Sequence, residues 1–256
     1  GLQTNGFSFI ISWAPNSSVL IQVCTNLSSS TWLPLQTNTL TGGFAYFNDP
    51  RWTDFSIRFY RVASTVEPIV FSSNVVGYVT TSVIGGGPNG KLQMIANPLD
   101  TTNNTIGFLI PSAPDWTVVY KYDGGVFLIA TYFLGAWDHP EYSLNPGEGA
   151  IVWSPSQWSN TFVGEVLQGA LSNPYPTGFS IRASQVPQAG TLTELGWSNS
   201  QVSFGDTVFL FSTTNQSYYS SVFLGSWSPD LIIAVGESFW LQTSSPGTWT
   251  RFFSVQ

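Results

Sequence analysis

Apolar and polar residues alternate along this chain in short runs, bounded by turn-forming residues. Phe7-Ser8-Phe9-Ile10-Ile11-Ser12-Trp13 is one such run, and Val19 to Val23, Phe44 to Phe47, Val118 to Tyr122 and Val208 to Phe211 are others. Their β-branched and aromatic side chains suit a pleated, half-buried surface. Between them lie Asn5-Gly6, Gly42-Gly43, Asn89-Gly90, Asp123-Gly124, Asn145-Pro146, Asn173-Pro174 and Pro246-Gly247, all read as turns. Asp123-Gly124 between two strand-like runs predicts a tight hairpin. No apolar pattern of helical period persists for about twelve residues. Short strands with frequent turns predict an all-β sandwich or barrel.

The same pattern recurs within the chain. Phe133-Leu134-Gly135-Ala136-Trp137 returns as Phe223-Leu224-Gly225-Ser226-Trp227, and Gly147-Glu148 returns as Gly236-Glu237. Trp158 and Phe162 match Trp249 and Phe253, and Val76-Gly77-Tyr78-Val79 matches Val163-Gly164-Glu165-Val166. A spacing near 90 positions exceeds the roughly 20–50 residues of solenoid repeats. It predicts two related β units packed on one another, since no linker separates them. The expected organisation is an N-terminal immunoglobulin/fibronectin-like β-sandwich module over 1–66 and a linker over 67–73. A duplicated, pseudo-symmetric β-sandwich or barrel unit follows, with repeat 1 at 74–161 and repeat 2 at 162–256.

Composition narrows the function. Only 8% of the 256 residues are charged, with 7 basic and 14 acidic side chains and a net charge of −7. That balance excludes a nucleic-acid footprint and disfavours anionic membranes. The apolar runs are far shorter than a membrane span, so no membrane insertion is expected. One Cys excludes an internal disulfide framework and a Cys-based zinc site.

Two stretches carry a family resemblance. The first contains Phe9-x-Ile11-x-Trp13, Ile21-Gln22-x-Cys24-Thr25-Asn26-Leu27, Trp32, Phe47-x-Asp49-Pro50 and Arg58-Phe59-Tyr60-Arg61-Val62. It resembles a short β-sandwich module of large secreted proteins of verrucomicrobial and planctomycete type. The second contains Val75 to Val79, Ile95-Ala96-Asn97-Pro98-Leu99, Leu144 to Gly149, Phe162 to Val166 and Val186 to Gly190. It resembles a β-rich segment of secreted proteins from the same bacteria. The resemblance implies an extracellular or cell-surface location, in a mature form after leader removal, and no assigned activity.

Candidate chemistry is sparse. The one His, His139, sits in Trp137-Asp138-His139-Pro140-Glu141. Asp138, His139 and Glu141 make a metal set on paper, but Pro140 breaks the run and a polar turn is expected. Cys24 lies in an alternating run and is expected to be a buried small apolar residue. Glu148 and Glu237 each follow a Gly and are expected to hold their own turns. No catalytic residue, cofactor or metal is expected.

The expected function is therefore a non-catalytic secreted structural protein that polymerises with copies of itself into a filament or surface polymer. Phe7, Phe9, Ile11 and Trp13 are the candidate strand-donation segment, by strand addition to a neighbouring copy. The alternative is a carbohydrate-binding or adhesion module, with Trp137, Trp227, Tyr218 and Tyr219 as candidate sugar-stacking aromatics. Asn16, Asn26, Asn103 and Asn215 match the N-glycosylation pattern and are candidate glycan attachment points. Glycans, or burial against other copies, would each explain so little surface charge.

Overall fold

The computed structural model describes residues 1–3, 6–29, 31–197 and 200–255. The Asn5 half of the expected Asn5-Gly6 turn lies outside them. The fold is all-β. Among the described residues there are twenty-two strands, three single 3-10 turns and one helical turn, α1 (Ile106–Leu109). The strands are β1 (Leu2–Gln3), β2 (Gly6–Ser12), β3 (Ser18–Cys24), β4 (Leu33–Thr39), β5 (Phe44–Asp49), β6 (Ile57–Ser64), β7 (Val76–Val83) and β8 (Lys91–Ala96). They continue as β9 (Val118–Asp123), β10 (Val126–Phe133), β11 (Ala136–Trp137), β12 (Gly149–Ser154), β13 (Trp158–Glu165), β14 (Gly169–Tyr175) and β15 (Gly178–Ala183). The last are β16 (Gly190–Thr191), β17 (Thr207–Ser212), β18 (Ser217–Phe223), β19 (Trp227–Ser228), β20 (Ile232–Ile233), β21 (Ser238–Thr243) and β22 (Gly247–Phe253).

All named pairings are antiparallel. The first module is a sandwich. A three-stranded sheet, β1-β2-β5, faces a five-stranded sheet, β4-β3-β6-β7-β13. Its core is Phe7, Ile11, Val19, Ile21, Leu40, Phe47, Tyr60 and Tyr78, contributed alternately from both sheets as period-2 burial requires.

The residues behind the family resemblance fasten this module internally. Asp49 Oδ2 accepts hydrogen bonds from Arg58 Nη1 (2.8 Å) and Tyr60 Oη (2.7 Å), all three groups being buried. Arg61 lies between the rings of Trp32 and Phe71 and donates to Gln22 Oε1 and the Val255 carbonyl, each at 2.8 Å. Burial and the Asp49 bond push the Tyr60 hydroxyl pKa well above its ordinary value. These groups tie β3, β6 and the C-terminal strand region together.

Two later sheets share one strand order. The sheet β8-β12-β9-β10-β11 corresponds, element by element, to β15-β21-β17-β18-β19. The β7–β13 pair likewise corresponds to β14–β22. The registers fix the residue matches. Ile151 lies between Met94 and Tyr120, just as Trp240 lies between Ile181 and Phe209. The two sheets meet back to back around Met94, Ile181 and Phe211. Their edges exchange matched backbone bonds: Ala96 N–H to the Gly236 carbonyl (2.8 Å), and Ala183 N–H to the Gly147 carbonyl (3.0 Å). That exchange is what a local twofold relation between the halves produces.

The expected boundaries do not fall at sheet edges. β6 and β7 pair directly, so the sheet of the first module runs through the 66/67 boundary. The boundary at 161/162 falls inside β13. Val76-Gly77-Tyr78-Val79 and Val163-Gly164-Glu165-Val166 are not the matched openings of two repeats. They lie opposite one another, with Gly77 facing Gly164. Asn173-Pro174 is also strand rather than turn. Pro174 sits in β14, whose one strand neighbour is β22, so its missing N–H breaks no second ladder.

Candidate functional site

Several of the expected site residues belong to the core. β2, which carries Phe7, Phe9 and Ile11, is paired with β1 on one side and β5 on the other. Phe7 and Ile11 are buried in the first sandwich, and Phe9 and Trp13 pack against it. The segment completes its own module and is not a strand available for donation. Trp137 and Trp227 are 6% and 5% exposed, and their indole N–H groups donate to the carbonyls of Ile110 and Trp197. Rings enclosed in this way cannot stack on a sugar. Their recurrence reflects one core position filled twice.

The polar candidates also have structural duties. His139 Nδ1 lies 3.1 Å from Glu141 Oε1 on the surface, and its ring stacks on Tyr142. Asp138 is engaged separately, accepting the Thr131 N–H. No metal-competent cluster of three such side chains occurs among the described residues. Cys24 is buried, its Sγ donates to the Asn26 carbonyl, and burial raises its pKa. Glu148 and Glu237 accept the N–H groups of Asn145 and Ala234, which closes the same turn in each half. Glu148 also binds Lys121 Nζ at 3.0 Å, whereas Leu210 occupies the matched position in the other half. Burial raises the Glu237 pKa, and the Ala234 N–H partly offsets this. Asn16, Asn26, Asn103 and Asn215 are all exposed.

The site that the structure assembles is an aromatic groove of about 600 Å³, lined by Tyr122, Phe127, Phe179, Phe209, Tyr218 and Trp240. That volume is within the usual range for ligand clefts. Trp240 is its centre. Tyr122 (4.9 Å), Phe127 (6.1 Å) and Phe179 (6.0 Å) all meet it edge to face. Phe209 stands 6.2 Å from Phe179. Trp240 Nε1 and Tyr218 Oη are 3.3 Å apart, which fixes the remaining wall. Tyr122, Phe209 and Trp240 face outward on their sheets, because Val119, Val208 and Leu241, an odd number of residues away on the same strands, fill the inner cores. The lining has no charged side chain. Of the expected stacking residues, only Tyr218 belongs to the groove. Tyr219 points to the other face of β18 and bonds Asn215.

The matched position in the other half is differently filled. Phe179, Phe209 and Trp240 correspond to Leu92, Tyr120 and Ile151. The edge of β8 is also covered. Leu92 N–H donates to Gln216 Oε1 (2.9 Å), and Gln216 Nε2 donates to the Leu92 carbonyl (3.0 Å). Gln216 reaches there from a four-residue loop between Ser212 and Ser217. The corresponding hairpin of the first half has two turn residues, Gly124 and Gly125, between Asp123 and Val126. Both have positive φ, as a tight hairpin requires, and a Cβ on either would touch nothing. The two glycines have no side chain to lay over the backbone of Phe179 as Gln216 does over Leu92.

The edge of β15 is therefore open at Phe179, whereas further along it Arg182 bridges Glu148 and Arg182 Nη1 donates to the Ile181 carbonyl. Ala183 N–H points outward, to the Gly147 carbonyl. Outward-pointing groups recur at every second residue of an edge strand, so the N–H and carbonyl of Phe179 point outward too. Phe179 itself is 47% exposed. Comparison with known proteins finds no matching family model, no matching curated protein and no matching solved structure.

Proposed function

We propose that this chain is a non-catalytic, extracellular binding or adhesion module that holds a neutral ligand in the aromatic groove around Trp240. The observation that supports it is the pairing of half-open rings with an uncovered strand edge. The matched place in the other half has Leu92, Tyr120 and Ile151 and a cover. Packing alone does not require the rings, because Leu92 and Ile151 serve the same fold positions. Apolar burial and a few oriented polar groups are what a binding cleft needs. The absence of charge in the lining favours an uncharged ligand. Export is supported by the resemblance of both stretches to secreted bacterial proteins.

The test is a titration followed by amide and indole NMR signals. Soluble oligosaccharides and short uncharged peptides are added in turn. Binding at the groove shifts the Trp240 indole N–H, and Phe179→Ala weakens it. If no member of either set moves the groove signals, the reading fails.

A second observation favours self-assembly, the other expected function. Ile10, Phe44 and Tyr46 are 73%, 65% and 60% exposed on the outer face of β2 and β5, with Ile10 directly opposite Tyr46. On this reading the face contacts another copy. Sedimentation velocity would show concentration-dependent oligomers that Ile10→Lys abolishes. A monomer at every concentration contradicts it.

A further inference from the structure

The closed half of the molecule holds a stand-in for the ligand of the open half. At Leu92 the occupant of the strand edge is a carboxamide, that of Gln216, which presents one acceptor to the N–H and one donor to the carbonyl. These are the groups that a neighbouring peptide chain offers. Leu92 and Phe179 occupy matched places, since Leu92 is two residues before Met94 and Phe179 is two before Ile181 in equivalent registers. Phe179 thus offers the same two groups, and among the described residues no side chain bonds to them as Gln216 does at Leu92. Beside it, the groove supplies six rings and no charge.

We propose that the β15 edge at Phe179 pairs with the backbone of an extended, uncharged peptide, and that the groove takes one of its apolar side chains. This rests on the reading of the groove as the binding site and names the ligand class. Strand addition to an exposed edge gains affinity from main-chain hydrogen bonds and specificity from pockets for alternate side chains. Both parts are present here within one residue of each other. Phe127, Phe179 and Phe209 have no hydrogen-bonding group, so sugar hydroxyls turned toward them would be buried without partners. The rings also meet edge to face around Trp240 and form a cup rather than a flat shelf. A cup suits a side chain better than the face of a sugar.

The bond to the edge can be broken separately from the cup. Phe179→Pro removes an outward N–H without removing a ladder bond to β21, since edge strands tolerate Pro at such positions. Phe179→Leu keeps the edge and an apolar side chain. The probe is a pool of acetylated and amidated hexapeptides that alternate threonine with phenylalanine, tyrosine, leucine, isoleucine or valine, added to the full chain. N,N′,N″-triacetylchitotriose, an amide-bearing sugar, is the second probe. The expected result is that the peptides shift both the Phe179 amide and the Trp240 indole signals. Binding should weaken roughly tenfold or more in Phe179→Pro and clearly less in Phe179→Leu, as expected for one lost hydrogen bond.

A second variant covers the case in which the proline disturbs folding. Replacing Gly124-Gly125 by the Thr213-Thr214-Asn215-Gln216 loop should cover the β15 edge and abolish peptide binding. If peptides bind equally well to Phe179→Pro and to the loop graft, the inference is overturned. If triacetylchitotriose moves the groove signals and the peptides do not, the inference is overturned and the groove reading stands. If neither probe moves them, both are overturned.

Discussion

The two halves of the later region are built on one strand order, yet their matched edges have opposite fates. At the β8 edge of the first half, a four-residue hairpin from the second half carries Gln216 onto the backbone of Leu92, and Phe211 of that hairpin's strand is buried. At the β15 edge of the second half, the two-glycine hairpin of the first half stops short, and Phe179 and Trp240 help line a cleft. One matched core position, that of Trp137 and Trp227, is filled by the same residue in both halves. The hairpins and outer faces differ. A difference of two loop residues and three outward side chains separates a sealed edge from a groove, without changing the sheet that carries them.

The largest expected effects test the equivalence of the cores. Trp137→Ala and Trp227→Ala should each cost about 3–5 kcal/mol, by cavity formation and loss of the bond to a buried carbonyl. Chemical denaturation measures both, and a large loss in only one would break the correspondence.

The matched glutamates should separate the halves. Glu148→Gln leaves Lys121, itself buried, without its counter-charge, and should cost about 2–3 kcal/mol. Glu237→Gln has no cation to strand and keeps an acceptor for Ala234. The pH dependence follows from the raised Glu237 pKa. A carboxyl whose folded pKa lies above its unfolded value stabilises the fold fully below the unfolded pKa. That contribution is lost as pH rises through the folded pKa. Glu237→Gln should therefore leave the melting temperature unchanged in acid and raise it near neutral pH. Thermal melts across that interval decide the matter, and a lowered melting temperature near pH 7 would contradict it.

Smaller effects sharpen the contrast between the hairpins. Gly125→Ala should cost about 1 kcal/mol, because its positive φ suits glycine. Gln216→Ala should cost about 1 kcal/mol and expose the β8 edge, detectable as faster exchange of the Leu92 amide. Ile10→Ser should leave stability within about 0.5 kcal/mol, as an exposed position does, while reducing any self-association seen by light scattering.

The strands were legible because burial on one face imposes alternation, and a core position favours a large apolar residue. Trp137 and Trp227 are such positions, each packed edge to face on a buried ring, Tyr132 and Phe223, whereas Phe133 is exposed. The same logic misleads at Val-Gly-x-Val. Gly77 and Gly164 lie opposite one another in adjacent strands, each with no room for a Cβ, so likeness there marks pairing rather than repetition. Tryptophan content likewise did not distinguish core from surface. Trp137 is enclosed and Trp240 is part of a cleft, although both lie in β-rich runs. The groove could not be read from the sequence because its six residues come from six strands and both halves. Its signal is Leu92, Tyr120 and Ile151 against Phe179, Phe209 and Trp240, which appears only once the registers are known. Phe7, Phe9, Ile11 and Trp13 read as a donated strand because an amphipathic strand that completes its own sandwich has the pattern of one that completes a neighbour's.

The contrast between a covered and an open edge can be measured in the free protein. Amide hydrogen exchange at Leu92 and Phe179, matched positions on matched edge strands, compares them directly. The account predicts a Leu92 amide protected by Gln216 and a Phe179 amide exchanging far faster. Equal protection at the two amides would contradict it.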